Sequence, residues 1–499
     1  MDKSIERLLE HNKFIKTDKK GLLDTGKRRD GRPFYPTLAQ VEEYARFYGD
    51  DIYEYADPNV EEIEPDERLD SGSPMYTKQF PLVTAKLIKL LFSRHNHLYP
   101  APAGDPITRK RFADYCVAEG ITKTTSEHIA FMTSTTYAYE VVLDCIVRPE
   151  DVVLMTGPNY GLFTYSPERF DGRMELIDLR KEDDYYINPD LLAQRIDEIN
   201  HSLEEEFKGK LAYTPKVVAF LNLNPHNPLG KVLSKKNEEL LKGMGEVCLN
   251  RGVFVIDDLI YRDLTFDRDN LALPLAIYDE HFENTISLFG LSKAFGAASY
   301  RTGAIVASEY VIRAIRSKVF RDMLGTPRFQ SEAIAAAYNA SGLRYRQYER
   351  YMKPIIKEYI YRYNLIKAFV TGIESVDVEY HRRIRRDIKK YIPDTGDREI
   401  VLKGMTDVCI AEKTEPESGF FCLIDLTKLK GKRYEDFTIQ SEKDILKYLY
   451  NKTKSKFILG QSMGWPYQDE IIIRVSFSLE IKDIIKNFWL MNTWIEKLK

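Results

Sequence analysis

Between Met132 and Ser308 short apolar runs alternate with longer stretches of helical periodicity, and this alternation narrows the fold more than any other feature. In order come MTSTTYAYEVVLDCIV (132–147), helical in pattern after Thr136, and the runs DVVLMTG (151–157), KVVAFLNLN (216–224), GVFVIDDLIY (252–261), NTISLFGLSK (284–293) and TGAIVAS (302–308). Strands this apolar on both faces must be covered above and below, and the helical stretches between them supply the cover. The expectation is an α/β fold with a mainly parallel central sheet covered by helices, followed by a smaller α+β domain. Ligands of such sheets sit outside the carboxyl ends of the strands. The chemically distinctive residues of this region all fall there.

The first of them is Lys293, in SLFGLSKAFGAASYRTG (287–303). A lysine at the mouth of a buried strand, followed by residues too small to cover it, can be held unprotonated and reachable, as imine chemistry requires. Arg301 puts a permanent fork of donors on the same loop, suited to a phosphate. Ser134, Thr135 and Thr136 precede a helical pattern, so their hydroxyls and free N–H groups lie at a helix N-terminus, a natural anion site. Asn227, in NLNPHNPLG, is held between two prolines. Asp258 ends an all-apolar strand with Tyr261 three residues later, and a carboxylate buried there is costly unless a cation meets it. Asp257 is its rival for that role. Arg474, inside IIIRVSFS, is a charge in an apolar strand and calls for an anionic partner.

The pattern S-K-x-F-G-x-x-x-x-R-x-G at Ser292 to Gly303 resembles the lysine motif of the class I/II aminotransferases, the fold type I family that uses pyridoxal 5′-phosphate (PLP). NPHNPLG is similar to the family's N-P-x-N-P-T-G, departing at Leu229, and the family's D-x-x-Y spacing selects Asp258 over Asp257. The resemblance covers roughly residues 68–375 and 405–490. It implies that Lys293 carries PLP as an internal aldimine and then moves the substrate's α-proton. It further implies that Asp258 pairs with the ring nitrogen, that Asn227 and Tyr261 share the ring oxygen, and that Tyr160, in GPNYGLF, stacks on the ring. Ser134, Thr135, Thr136, Ser292 and Arg301 would hold the phosphate. Gly72, in L-D-S-G-S-P, lets backbone approach the substrate, and Arg474 forks onto its α-carboxylate. Tyr99, five residues before Gly104, would reach the phosphate of the opposite subunit of a homodimer. Gly290 stands where the family often has a phosphate-binding serine, and Ser418 where it has a glycine.

The implied reaction is transamination between an amino acid and a 2-oxo acid. The alternatives are a PLP-dependent lyase or β-decarboxylase, because an electron sink does not choose which bond breaks, and an aminotransferase-like amino-acid-sensing regulator. The last predicts a helix-turn-helix module, for which residues 1–66 are short and end in an acidic run.

Composition bounds the partners. The chain has 499 residues, 43% hydrophobic and 30% charged, with a net charge of −3, which gives no reason to expect nucleic acid or an anionic membrane. Five widely spaced cysteines with no CxxC read as reduced thiols, and with neither a signal peptide nor a long apolar run the expectation is the cytoplasm. No metal motif is present; His95 and His97 would face together only on a strand. Three parts are expected: an N-terminal extension (1–66) with short helices at Ser4–His11 and Leu38–Gly49, a large cofactor domain (67–345) and a small domain (346–499). A basic insertion near 379–405 reads as a solvated helix, and Pro354 should kink a long helix or mark its start.

Overall fold

Seven strands form the central sheet: β1 (Ile129–Met132), β2 (Val152–Gly157), β3 (Arg173–Asp178), β4 (Val217–Leu223), β5 (Phe254–Asp258), β6 (Thr285–Gly290) and β7 (Gly303–Val306). Their order is β1-β7-β6-β5-β4-β2-β3, and β7 alone runs antiparallel to its neighbours. The computed structural model describes residues 69–499 except 75, 340 and 341, and it leaves out the side chains of 95, 162, 165 and 342–345. The expected extension (1–66), its two helices and the acidic run at 61–67 lie outside the described residues.

Alternation along the strands builds two cores. Leu154, Phe220 and Val255 face the helices Pro189–Phe207 and Glu238–Asn250, while Val153, Leu221 and Ile256 face Thr135–Ile146 and Glu309–Met323. Full burial of each such side chain stabilises the fold by about 1.5–3 kcal/mol, so a strand slipped by one residue would forfeit both cores at once. Edge strand β3 was not foreseen in the sequence. Its run, RMELID, mixes charge with apolar residues because its outer side meets solvent.

A second sheet, four-stranded and antiparallel, is built from β8 (Cys409–Ile410), β9 (Phe421–Asp425), β12 (Ile458–Leu459) and β13 (Ile472–Ser476) in the order β12-β13-β9-β8; β10 (Arg433–Tyr434) and β11 (Phe437–Thr438) form a small hairpin. The apolar runs on either side of Pro416 to Gly419 are β8 and β9. The helix Gly342–Thr371 leads from the first sheet to the second and passes through Pro354 unbroken, so Pro354 is not its start. Proline removes one N–H from the ladder, and the turns on either side carry the helix across. The basic stretch is also helical, Val378–Tyr391 and Thr395–Lys403, with Ile384, Ile388 and Val401 buried and Arg382, Arg385, Lys389 and Lys390 exposed. Among the described residues no helix is long and apolar enough to cross a membrane, and no cluster of His, Cys, Asp or Glu could hold a metal ion.

Candidate active site

A cavity of about 630 Å³ opens at the carboxyl ends of the central strands. Ser134, Thr135 and Thr136 reach it from the turn after β1, Tyr160 from the turn after β2, and Asn227 from the turn after β4. Asp258 and Tyr261 reach it from the end of β5, Ser292, Lys293 and Arg301 from the loop between β6 and β7, and Gly72 from the segment before the first helix.

Lys293 Nζ donates to the Gly72 carbonyl at 2.7 Å and lies 5.6 Å from the centre of the Tyr261 ring. Burial, reinforced by the Arg474 charge, pulls its ammonium down to about 8, although Asp258 opposes the shift. Asp258 accepts from the Ile260 N–H at 3.0 Å through Oδ1. Burial pushes its carboxyl up to about 7, and the neighbouring Asp257 adds to the rise. An amine that deprotonates near neutrality therefore sits in the same cavity as a carboxylate that would be stabilised by a cation. Tyr261 is fixed between Phe420 and Phe421, with ring centres 5.7 and 6.1 Å away. The next residue, Arg262, is locked by Glu119 at 2.8 Å and by Ala272 O at 3.1 Å.

Arg474 projects from β13 and is buried. It donates to Asn227 Oδ1 at 3.2 Å and to Asp70 O at 2.9 Å, its guanidinium lies 4.1 Å over the Phe421 ring, and its Nε has no partner. It forms no ion pair among the described residues, and burial lowers its pKa. A buried guanidinium whose hydrogen bonds go to neutral acceptors is prepared for an anion. Asn227 and Tyr160 are joined behind the cavity. His226 shares a 2.9 Å hydrogen bond with Thr156 Oγ1, Asn159 Nδ2 donates to the same oxygen, and Asn159 Oδ1 accepts from Tyr160 N–H at 2.7 Å.

At the other end, Ser134 caps the helix Thr135–Ile146 by accepting from Tyr137 N–H at 3.0 Å. The N–H groups of Thr135 and Thr136 have no partner among the described residues and point where the helix dipole favours an anion. Arg301 adopts a left-handed backbone, φ 51°, and donates to Ala298 O at 3.0 Å. The departure at Gly290 has a steric cause: a Cβ there would lie 2.6 Å from Ile260 Cδ1 and 2.9 Å from Thr135 Cγ2.

Tyr99 is not brought to this cavity; it is 83% exposed on the outer surface. Conversely, Glu140 and Arg169 line the cavity as a 2.7 Å ion pair, with Ser166 Oγ donating to Glu140 at 2.7 Å. No motif in the sequence marks them. Asp257, the rival carboxylate, faces the opposite side of the sheet, where it accepts from Asn222 and from Leu275 N–H.

Residues 66–379 match the family described as aminotransferase class I and II. The chain belongs to that family. Members use pyridoxal 5′-phosphate, and the protein is a PLP-dependent transaminase. It is 23% identical to an arginine–pyruvate transaminase of Pseudomonas aeruginosa over 388 residues, 77% of this chain and 82% of that protein. It is 30% identical to a cystathionine β-lyase of Bacillus subtilis over 224 residues, 44% of this chain and about half, 53%, of that one. A crystal structure of an aspartate aminotransferase from Rhizobium meliloti superposes with a TM-score of 0.67 at 15% identity, covering 87% of this chain and 92% of that one, and shows the shared fold.

Proposed function

We propose that the strand-end cavity is where this transaminase binds PLP, an amino acid and a 2-oxo acid, and that its residues divide the work as follows. Thr135, Thr136, Ser134, Ser292 and Arg301 hold the phosphate. Asp258 meets the ring nitrogen, Asn227 and Tyr261 flank the ring oxygen, and Tyr160 lies on the ring face. The bound cofactor supplies an aldehyde for the amino group and a cationic ring to store the electron pair left at Cα. The unmet groups of the cavity fit it: free N–H donors at a helix N-terminus, a carboxylate with an oxygen to spare, and an amine shifted to about 8.

Arg474 orients the substrate through its α-carboxylate, beside the Gly72 backbone. Lys293 Nζ, in its unprotonated form, would take the proton from Cα and deliver it to the cofactor's aldehyde carbon, on the other side of the amino nitrogen. Its hydrogen bond to Gly72 O keeps the amine within the cavity while it is free. The observation that carries the reading is the convergence of Lys293, Asp258 and Asn227 on one cavity at the strand ends, with the buried Arg474 of β13 hydrogen-bonded to Asn227.

The same reading makes residues 1–66 an extension, 67–345 a large domain and 346–499 a small one, with the helix Gly342–Thr371 between the two. It also makes the protein a homodimer in which the partner subunit's Tyr99 completes the phosphate site. Support comes from Ile88, Leu91, Phe92, Leu98 and Phe329, apolar side chains exposed near Tyr99, and from an apolar groove of about 480 Å³ among Leu87, Ile88, Leu91 and Tyr300. Five cysteines, none of them in a disulfide, support a reducing compartment, the cytoplasm.

A donor screen tests the reaction. Transamination consumes an amino acid only when a 2-oxo acid acceptor such as 2-oxoglutarate is present. Release of pyruvate or ammonia without an acceptor would establish the second reading, a lyase or decarboxylase, which the partial likeness to a β-lyase favours.

A further inference from the structure

Asp257 and Asp258 are consecutive, so β5 sends them to opposite faces of the sheet. Asp258 opens on the cavity. Asp257 lies on the face covered by Pro189–Phe207 and Glu238–Asn250, in a lateral row with Asn222 of β4 and Ser287 of β6 that the strand register creates. It is 0% exposed. Its Oδ1 accepts from Asn222 Nδ2 at 2.8 Å and its Oδ2 from Leu275 N–H at 2.9 Å.

No cation among the described residues pairs with it, and Ser287 Oγ, next in the row, is buried without a hydrogen-bond partner. The groups facing it from β4, β6 and the loop at Leu275 are thus uncharged. His281, which packs with Leu275 against Gly245, is kept neutral by burial. Interior charges without cations are expensive, and this one backs directly onto the carboxylate of the site. With little water between them to screen it, the negative charge of Asp257 is felt at Asp258.

We propose that Asp257 is a positioning residue that acts through Asp258: a second carboxylate, behind the first, that deepens the negative potential at the cavity end of β5 and keeps a ring nitrogen facing Asp258 protonated. This rests on the reading that Asp258 meets the cofactor's ring nitrogen. The titration of the two carboxyls agrees, with Asp257 pushed up to about 6 by burial and Asp258 to about 7 by burial and by Asp257.

The test is ¹⁵N NMR of holoenzyme carrying cofactor labelled at the ring nitrogen, titrated with pH. Asp257→Asn should lower the pH at which the nitrogen loses its proton by about one unit, an order-of-magnitude Coulomb effect. The double exchange Asn222→Asp with Asp257→Asn controls for structure. In it the new amide oxygen accepts from Leu275 N–H and the new NH₂ donates to the new carboxylate, so both hydrogen bonds persist. The charge, however, moves one strand away, about 4.8 Å. The exchange should shift the nitrogen by less than the single change, and it is the readout if the single variant does not fold.

A nitrogen titration unmoved in Asp257→Asn, or moved equally by the exchange, would overturn the inference. Asp258→Asn separates the two levels. If it alters the nitrogen while Asp257→Asn does not, only the role of Asp257 falls. If neither alters it, the placement of the ring nitrogen falls as well.

Discussion

Replacing Arg474 with methionine removes a buried cation while keeping most of its volume, and the structure sets the consequence for activity and stability separately. For activity, the fork onto a substrate carboxylate in a site shielded from water is worth about 2–5 kcal/mol. At 1.36 kcal/mol per decade, kcat/KM for an amino acid should fall between about 30-fold and several thousand-fold. The loss should appear largely in KM, because the fork is made to substrate and transition state alike. For stability, the change forfeits hydrogen bonds to Asn227 Oδ1 and Asp70 O and the contact with the Phe421 ring. It also releases the desolvation penalty of a charge that no described carboxylate pairs with, several kcal/mol per ion. The two nearly cancel, so denaturant unfolding of the cofactor-free protein should change by about 1 kcal/mol or less. The assays are steady-state kinetics with a series of amino acids and urea unfolding followed by circular dichroism. A kcat/KM loss below tenfold, or destabilisation above about 3 kcal/mol, would make Arg474 a structural ion and refute the reasoning.

Further outcomes follow from other parts of the site. The rate at which cofactor-free protein takes up PLP should rise with pH and level off above about 8, because burial lowers the Lys293 ammonium and only the free amine reacts; a half-rate near the ordinary lysine value would contradict this. Gly290→Ser should destabilise the protein by about 1–3 kcal/mol through overlap with Ile260 Cδ1 and Thr135 Cγ2. Adding Ile260→Val should recover part of that loss in denaturant midpoints, and strict additivity would show that the overlap is not the cause. Tyr99→Phe and Lys293→Ala proteins, each weakly active or inactive alone, should regain activity when mixed and allowed to exchange subunits. No gain would place Tyr99 outside the shared site.

The central residues were legible because the chemistry is concentrated where strands end. Lys293, Asp258 and Asn227 each follow an apolar run, and a doubly covered parallel sheet brings such ends together, as the cavity does. The D-x-x-Y spacing separated Asp258 from Asp257, and the pleat of β5 explains the choice, since only one of two consecutive side chains can face the cavity. Other features left no trace in the residue pattern. The Glu140–Arg169 pair meets across elements far apart in the chain, and β3 lacks the apolar run of an interior strand. Gly290 read as the place of a lost or replaced phosphate contact, and the neighbours that leave no room for a side chain there were not visible in the sequence. Pro354 read as a kink or a start because its local cost is plain in sequence, while the packing that carries the helix through it is tertiary. Tyr99, which the resemblance sets at the phosphate of an opposite subunit, is exposed and away from the cavity of this chain.

Every proposed role depends on Lys293 being the side chain that joins the cofactor. Borohydride reduction of the holoenzyme, followed by proteolysis and mass spectrometry, should find a pyridoxyl group on the peptide containing Ser292-Lys293-Ala294 and on no other. Modification of a different lysine, or none at all in protein that retains its fold, would contradict it.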